Sequence, residues 1–228
     1  MKKSIFLALL CAGALSQAQQ QTPFNEYWKV GLGVGTSSYF ATNETDQFLK
    51  LKNTQTFNVG IDWNAYQFDN YNIKTGLYLY ISNDKENNKY EAKRHFDKFS
   101  VPISIERYFP VGKNYLVVGA GFNNIIGTTG KNNYEYDMPL TLPNGKKGKL
   151  HGITKEDNFS SSLMLNVGYS IPTNVGLFAL NVEGGLGLGT PYKAEIKFDN
   201  DPKTYTNKFI NNYIGAGIKF YPKRKNSK

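Results

Sequence analysis

The sequence has very little cysteine and histidine, and this scarcity excludes several classes of protein. Of 228 residues, one is cysteine and two are histidine. Cys11 lies in an N-terminal segment that we expect to be removed, so disulfides and thiolate metal sites are not available to the rest of the chain. No histidine or carboxylate cluster has the spacing of metal ligands. We therefore expect neither a metal nor a cofactor.

Long apolar runs and helical periodicity are also missing. Beyond the N-terminus there is no run of 18 apolar residues, which excludes a transmembrane helix. The glycine-rich stretches 31–35 and 184–189 superficially resemble dinucleotide-binding motifs, but no helical pattern follows either of them. The net charge of +9 is not organised as a basic helix or an aromatic–basic repeat, so we expect no nucleic-acid partner.

The N-terminus has the three parts of a secretory signal peptide. Lys2 and Lys3 form a positive region, residues 5–15 form a short apolar core, and Ser16-Gln17-Ala18 supplies small residues for a peptidase. We expect export with cleavage near Ala18. The signal peptide then covers residues 1–18, and residues 19–26 form a short N-terminal periplasmic segment.

Eight segments alternate between apolar and polar residues with the period of a β-strand. They cover residues 27–41, 54–66, 71–83, 95–108, 114–126, 158–171, 176–190 and 208–221. Strands of about 9–15 residues are long for a soluble sheet but suit a tilted crossing of a membrane. The pattern predicts an all-β fold, an eight-stranded antiparallel up-and-down transmembrane β-barrel over residues 27–221.

The polar face of these segments is rich in Gly, Ser, Asn and Tyr and carries few charges. Small residues suit the narrow lumen of an eight-stranded barrel, so we assign the apolar face to the outside. Connections after alternate segments are short, and the remaining ones, residues 42–53, 84–94, 127–157 and 191–207, are long. This sorting is typical of bacterial outer-membrane barrels and predicts the cell outer membrane as the location.

Six charged residues fall on the predicted inward face, three of each sign. They are Lys29, Asp62, Lys74, Glu106, Glu183 and Lys219. A hairpin centred on Phe68 would place Asp62 directly opposite Lys74. Because buried charge is tolerated only when it is paired, we predict a charge-compensated network that plugs the lumen. An ion or proton path along the same groups is the functional alternative.

The chain offers little for catalysis. His95 precedes Asp97 near the loop end of segment four, and His151 lies in the longest loop. An enzyme needs a nucleophile, a base and an orienting group within mutual reach, and no spacing singles out a serine for this role. We therefore predict that the protein is not an enzyme and name no catalytic residue.

Segments four and five carry a family resemblance. Residues 99–122 read FSVPISIERYFPVGKNYLVVGAGF, with Val101-Pro102-Ile103, Tyr108-Phe109 and the pair Gly119 and Gly121 as the matching positions. This resembles the PorT-like outer-membrane β-barrel family of Bacteroidota, a Gram-negative phylum, whose barrels are small and similar to OmpA. The last strand, Ile214 to Tyr221, is similar to the last strand of that family. The resemblance implies a barrel in the outer membrane and, for some members, a link to secretion machinery.

The expected function is a structural or protein-interaction role in the outer membrane. The expected partners are outer-membrane lipid and lipopolysaccharide, the barrel-assembly machinery during insertion, and a protein that contacts loop 127–157 or the basic periplasmic tail 222–228. Two alternatives stay open. One is a narrow pore for ions or small solutes, and the other is a lipid-modifying enzyme with His95 at its rim.

Overall fold

The computed structural model describes residues 24, 26–43, 53–68, 70–82, 98–127, 133–141, 147–198 and 201–225. Eleven β-strands are present in these ranges. They are β1 (Val30–Asn43), β2 (Thr54–Phe68), β3 (Tyr71–Ser82), β4 (Lys98–Val111), β5 (Asn114–Gly127), β6 (Asn133–Thr141), β7 (Lys147–Glu156), β8 (Phe159–Pro172), β9 (Gly176–Leu188), β10 (Tyr192–Phe198) and β11 (Asp201–Pro222).

Eight of these strands close into an antiparallel barrel. The order around the barrel is β1-β2-β3-β4-β5-β8-β9-β11, and β11 pairs again with β1. The closing pair runs from Leu32 opposite Phe220 to Asn43 opposite Phe209. The predicted eight-stranded fold is therefore confirmed, and each of the eight alternating segments corresponds to one barrel strand. Closure leaves the barrel itself without a free edge.

Three further strands lie where the sequence predicted only loops. Within 127–157 the chain forms β6 and β7, and within 191–207 it forms β10 and the first part of β11. β11 pairs with β10, β10 with β7, and β7 with β6. The loop assignment was wrong here because the barrel strands continue past the rim. Residues 201–208 extend β11 beyond the barrel, and β10 pairs with this extension. We call β6, β7, β10 and residues 201–208 the rim wall.

The alternation places polar side chains inside the barrel and apolar side chains outside. In β2, every second residue from Thr54 to Asn64 is buried except the half-buried Gly60, and the residues between them are exposed. Leu165 on β8 is 62% exposed and Ile61 on β2 is 51% exposed. No helix in the described part of the chain is long and apolar enough to cross a membrane.

Both ends of the described chain meet at the short-turn end of the barrel. The Trp28 backbone N–H donates to the Pro222 carbonyl oxygen over 2.8 Å. Phe24 is buried there, with its ring packed edge-on against the rings of Tyr108 and Tyr221. The segment before β1 therefore covers this mouth of the barrel.

Candidate functional site: the charged lumen

Two glycines of β1 make room for the centre of the lumen. A Cβ atom added at Gly31 would lie 2.5 Å from Cδ1 of Tyr221, and one at Gly33 would lie 2.7 Å from the hydroxyl of Tyr78. Both tyrosine side chains therefore pass directly over the β1 backbone. Any larger residue at these positions would displace them.

The carboxylate of Asp62 is the centre of the site. It accepts hydrogen bonds from the Tyr78 hydroxyl over 2.6 Å and from the Tyr221 hydroxyl over 2.7 Å. The Nζ atoms of Lys74 and Lys219 each lie 3.1 Å from its Oδ2 atom. Asp62 is 1% exposed, so it depends on these four groups in place of water.

Glu106 forms the second half of the site and shares Lys74 with Asp62. Its Oε1 atom lies 3.4 Å from Nζ of Lys74 and accepts a 2.8 Å hydrogen bond from Nδ2 of Asn166. Its Oε2 atom accepts from the Tyr108 hydroxyl over 2.9 Å. Lys74 therefore bridges two buried carboxylates that enter the lumen from different strands.

The strand register differs from the prediction that put Asp62 directly opposite Lys74. Asp62 lies opposite Gly76, and Lys74 lies opposite Asn64. That prediction was wrong because the β2–β3 turn is centred beyond Phe68 and the register shifts between Asn64 and Tyr66. The ion pair still forms because positions 62 and 74 keep inward parity and meet diagonally.

The six predicted residues do not all join this group. Asp62, Lys74, Glu106 and Lys219 are brought together in the lumen. Glu183 lines the same cavity, but it forms no hydrogen bond or ion pair with another described residue. Lys29 lies before β1, where its carbonyl oxygen accepts from the backbone N–H and the side-chain amide of Asn64, and its side chain pairs with no described carboxylate.

Aromatic side chains fill the lumen on both sides of the charged layer. Toward the loop end, Tyr39 stacks on Tyr213 with ring centroids 5.3 Å apart. Toward the short turns, Tyr27, Leu177 and Phe24 close the interior. A cavity of about 40 Å³ remains beside the charges. At about 10–15 Å³ for each water, it has room for a few water molecules.

The tyrosines that satisfy the carboxylates were not predicted from the sequence. Tyr78, Tyr108 and Tyr221 supply the hydroxyl donors, but Tyr108 and Tyr221 read equally well as interfacial aromatics. Their inward parity with Asp62 and Glu106 is the signal that could have identified them. Lys98 is a further inward-facing charge that was not predicted. It is buried at the loop end of β4 and shares its inward parity with Ser100.

The barrel strands that the structure describes carry no histidine. The described residues contain no group of three His, Cys, Asp or Glu residues that could hold a metal ion. His151 lies on β7 at a position paired with Lys197 and with Asp137. His95 lies outside the described residues. The described lumen contains a layer of polar side chains that are held by ion pairs and hydrogen bonds.

Comparison with known proteins yields solved structures but no family. No family model matches the chain, and no curated protein matches it either. The crystal structure of Neisserial surface protein A has 12% sequence identity to this chain. The match covers 85% of this chain and 97% of that protein's chain, with a TM-score of 0.46. The N-terminal β-barrel domain of Pseudomonas aeruginosa OprF has 10% sequence identity to this chain. The match covers 83% of this chain and 96% of the OprF domain, with a TM-score of 0.34. Both are small outer-membrane barrels.

Proposed function

We propose that this protein is an integral outer-membrane β-barrel with a plugged lumen, which acts as a structural or interaction protein through its rim wall. Membrane location, absence of conduction and partner binding each have their own support and their own test. The resemblance of residues 99–122 to PorT-like barrels of Bacteroidota fits this proposal, and a link to secretion or envelope machinery is part of it.

The apolar outer surface is the observation that carries the membrane location. Large apolar side chains are exposed on all eight barrel strands. Examples, one from each barrel strand in barrel order, are Leu32, Ile61, Leu77, Ile103, Val118, Leu165, Val182 and Ile214. A water-soluble monomer rarely exposes a contiguous apolar patch larger than a few hundred Å². Lipid is the solvent that such a surface requires, because Asp62, Lys74, Glu106 and Lys219 are turned inward and apolar side chains cover the outside.

The filled lumen supports a barrel that does not conduct. Conduction needs a continuous aqueous path, and here the Tyr78, Tyr108 and Tyr221 side chains cross the interior beside paired charges. Eight-stranded barrels are just wide enough to be filled by side chains. We expect no steady conductance when the purified barrel is inserted into planar bilayers. A reproducible ohmic channel that disappears in Asp62→Asn would favour the pore over the plug.

The rim wall supports an interaction role. It extends backbone pairing beyond the barrel across four strands, and its outermost strand, β6, pairs only with β7 among the described strands. An edge strand of this kind presents unpaired backbone N–H and C=O groups to an extended partner segment. The basic tail offers a second contact at the opposite end, where Lys223 lies 3.7 Å from Glu26.

Reconstitution tests the membrane location. The mature chain, refolded into lipid vesicles, should resist extraction by carbonate and migrate as a compact species on a detergent gel until it is boiled. A chain that stays in the aqueous phase as a folded monomer would contradict the proposal. The control is the same chain carrying Leu165→Arg, which should insert less well.

Crosslinking in intact cells tests the interaction role. The barrel pairs β5 with β8 as far as Ile126 opposite Phe159. Residues 129–156 can therefore be replaced by a short Gly-Ser turn without removing a barrel pair. A partner that is crosslinked by the parent protein and lost in this variant supports the role. The control lacks residues 226–228 of the basic tail and should keep the partner. A partner that the rim-wall variant keeps contradicts binding by the rim wall, and loss from the control alone assigns the contact to the tail.

A further inference from the structure

Two exposed lysines lie directly opposite each other in the rim wall. Lys193 of β10 is the register partner of Lys208 of β11. Directly opposite residues on neighbouring antiparallel strands have Cβ atoms about 4.5–5.5 Å apart and share a face of the sheet. We call Lys193 and Lys208 the lysine row.

The lysine row lies on the outer face of the wall. Phe209 and Tyr213 of β11 are buried toward the lumen, so Lys208 shares the opposite face with Ile214. The side chains of Lys193 and Lys208 are exposed. Lys208 precedes Ile210 by two residues, about 7 Å along the strand. The lipid-facing band of exposed apolar side chains on the barrel strands is called the apolar belt here. The row therefore lies just beyond the edge of this belt at the loop end of the barrel, which is its upper edge.

The row is unfavourable without an anion. Like charges directly opposite on a sheet destabilise the pairing of the strands. Neither Lys193 nor Lys208 forms an ion pair with another described side chain. A doubly charged anion seated between them would relieve the repulsion and would accept hydrogen bonds from both ammonium groups. The register thus brings together two positive charges that a phosphate group would compensate.

Its position selects the source of that phosphate. At the upper edge of a lipid-facing belt, the group that meets the row is the headgroup of a lipid whose acyl chains cover Leu188 and Ile214. Free phosphate would gain only the charge, whereas a phosphorylated lipid gains the charge and the apolar contact together. Both contributions are present on the same face of β9 to β11.

We propose that the lysine row binds the phosphate of a phosphorylated glycolipid in the outer leaflet, with the acyl chains on the apolar belt below it. This inference rests on the proposed membrane location and adds a named lipid site to it. The site lies at the loop end of the barrel, so a lysine at the opposite rim should not contribute to binding.

Titration with lipid A tests the proposal. The full mature barrel in detergent micelles is titrated with lipid A carrying its phosphates, with the same lipid after phosphate removal, and with inorganic phosphate, and binding is read by native mass spectrometry. A lysine near an anionic lipid surface contributes about fivefold to binding. We expect K193Q/K208Q to lose about thirtyfold in affinity for phosphorylated lipid A and to bind the dephosphorylated lipid as the parent does.

Two controls make the result specific. K193R/K208R keeps the charge and should bind like the parent protein, and Lys113→Gln at the opposite rim should leave binding unchanged. Equal binding of both lipids by the parent, or equal loss in K113Q, overturns the proposal. Inorganic phosphate that binds as tightly as lipid A also overturns it. Insertion into vesicles is measured for each variant, so failure of the lipid site is distinguished from failure of the membrane location.

Discussion

The hydroxyl of Tyr221 donates to Oδ2 of Asp62 over 2.7 Å and so joins the last strand to the second across β1. Gly31 lies beneath the tyrosine ring, and no other residue would leave room for it. This one contact requires barrel closure, a glycine in the intervening strand and an inward aspartate. It connects closure of the barrel to the charged layer that fills it.

Removal of the central charge should destabilise the barrel strongly. Asp62→Asn leaves Lys74 and Lys219 near an uncharged amide in a buried site, and breaking a buried pair costs about 3–5 kcal/mol. We expect the free energy of unfolding in urea, measured in micelles, to fall by that amount. Glu183→Gln is the matched control, because Glu183 makes no ion pair or hydrogen bond at contact distance with a described side chain, and its effect should be smaller. Equal losses in the two variants would contradict the assigned geometry.

The two tyrosine hydroxyls on Asp62 should each contribute measurably. A hydrogen bond to a charged group contributes about 1.5–3 kcal/mol. Tyr78→Phe and Tyr221→Phe should each lower the free energy of unfolding by an amount in this range. Tyr66→Phe is the control, since Tyr66 is 61% exposed on the outer face. An unchanged unfolding midpoint for both lumen variants would show that the hydroxyls are dispensable.

The glycines of the barrel should differ in their tolerance of a methyl group. Gly31→Ala and Gly33→Ala place a Cβ atom against Tyr221 and Tyr78 and should cost about 1–3 kcal/mol, as overpacking does. Gly184→Ala meets nothing closer than a backbone oxygen at 3.7 Å and should be neutral. Thermal unfolding of the three variants, followed by gel mobility, provides the measurement. A Gly184→Ala variant as unstable as Gly31→Ala would point to strand propensity and not to packing.

A charged side chain introduced on the outer surface should lower the stability of the barrel more, the nearer it lies to the middle of the membrane. Leu165→Arg in the middle of β8 should destabilise the inserted barrel by about 2–4 kcal/mol. Val175→Arg places the same charge in the short turn before β9, where the expected change is about 0–1 kcal/mol. Equilibrium unfolding in vesicles compares the two variants. Similar small effects would argue that residue 165 faces water.

Alternation along the strands was enough to predict the barrel and its inside-out polarity. A period of two assigns each residue to a face without knowledge of its neighbours, and the small residues of the polar face identify it as the inner one. The same parity placed Asp62, Lys74, Glu106 and Lys219 on the lumen side. Local sequence determines these features because they depend only on the strand period.

Only the tertiary structure decided which residues meet across the barrel. The bulge after Asn64 set the true register of Asp62, and barrel closure brought Tyr221 to it from the far end of the chain. Parity could not separate Lys29 or Glu183 from the paired charges, since pairing depends on height along the axis. The strands of the rim wall, and the lysine row they create, likewise arise from register between distant segments, which no local pattern encodes.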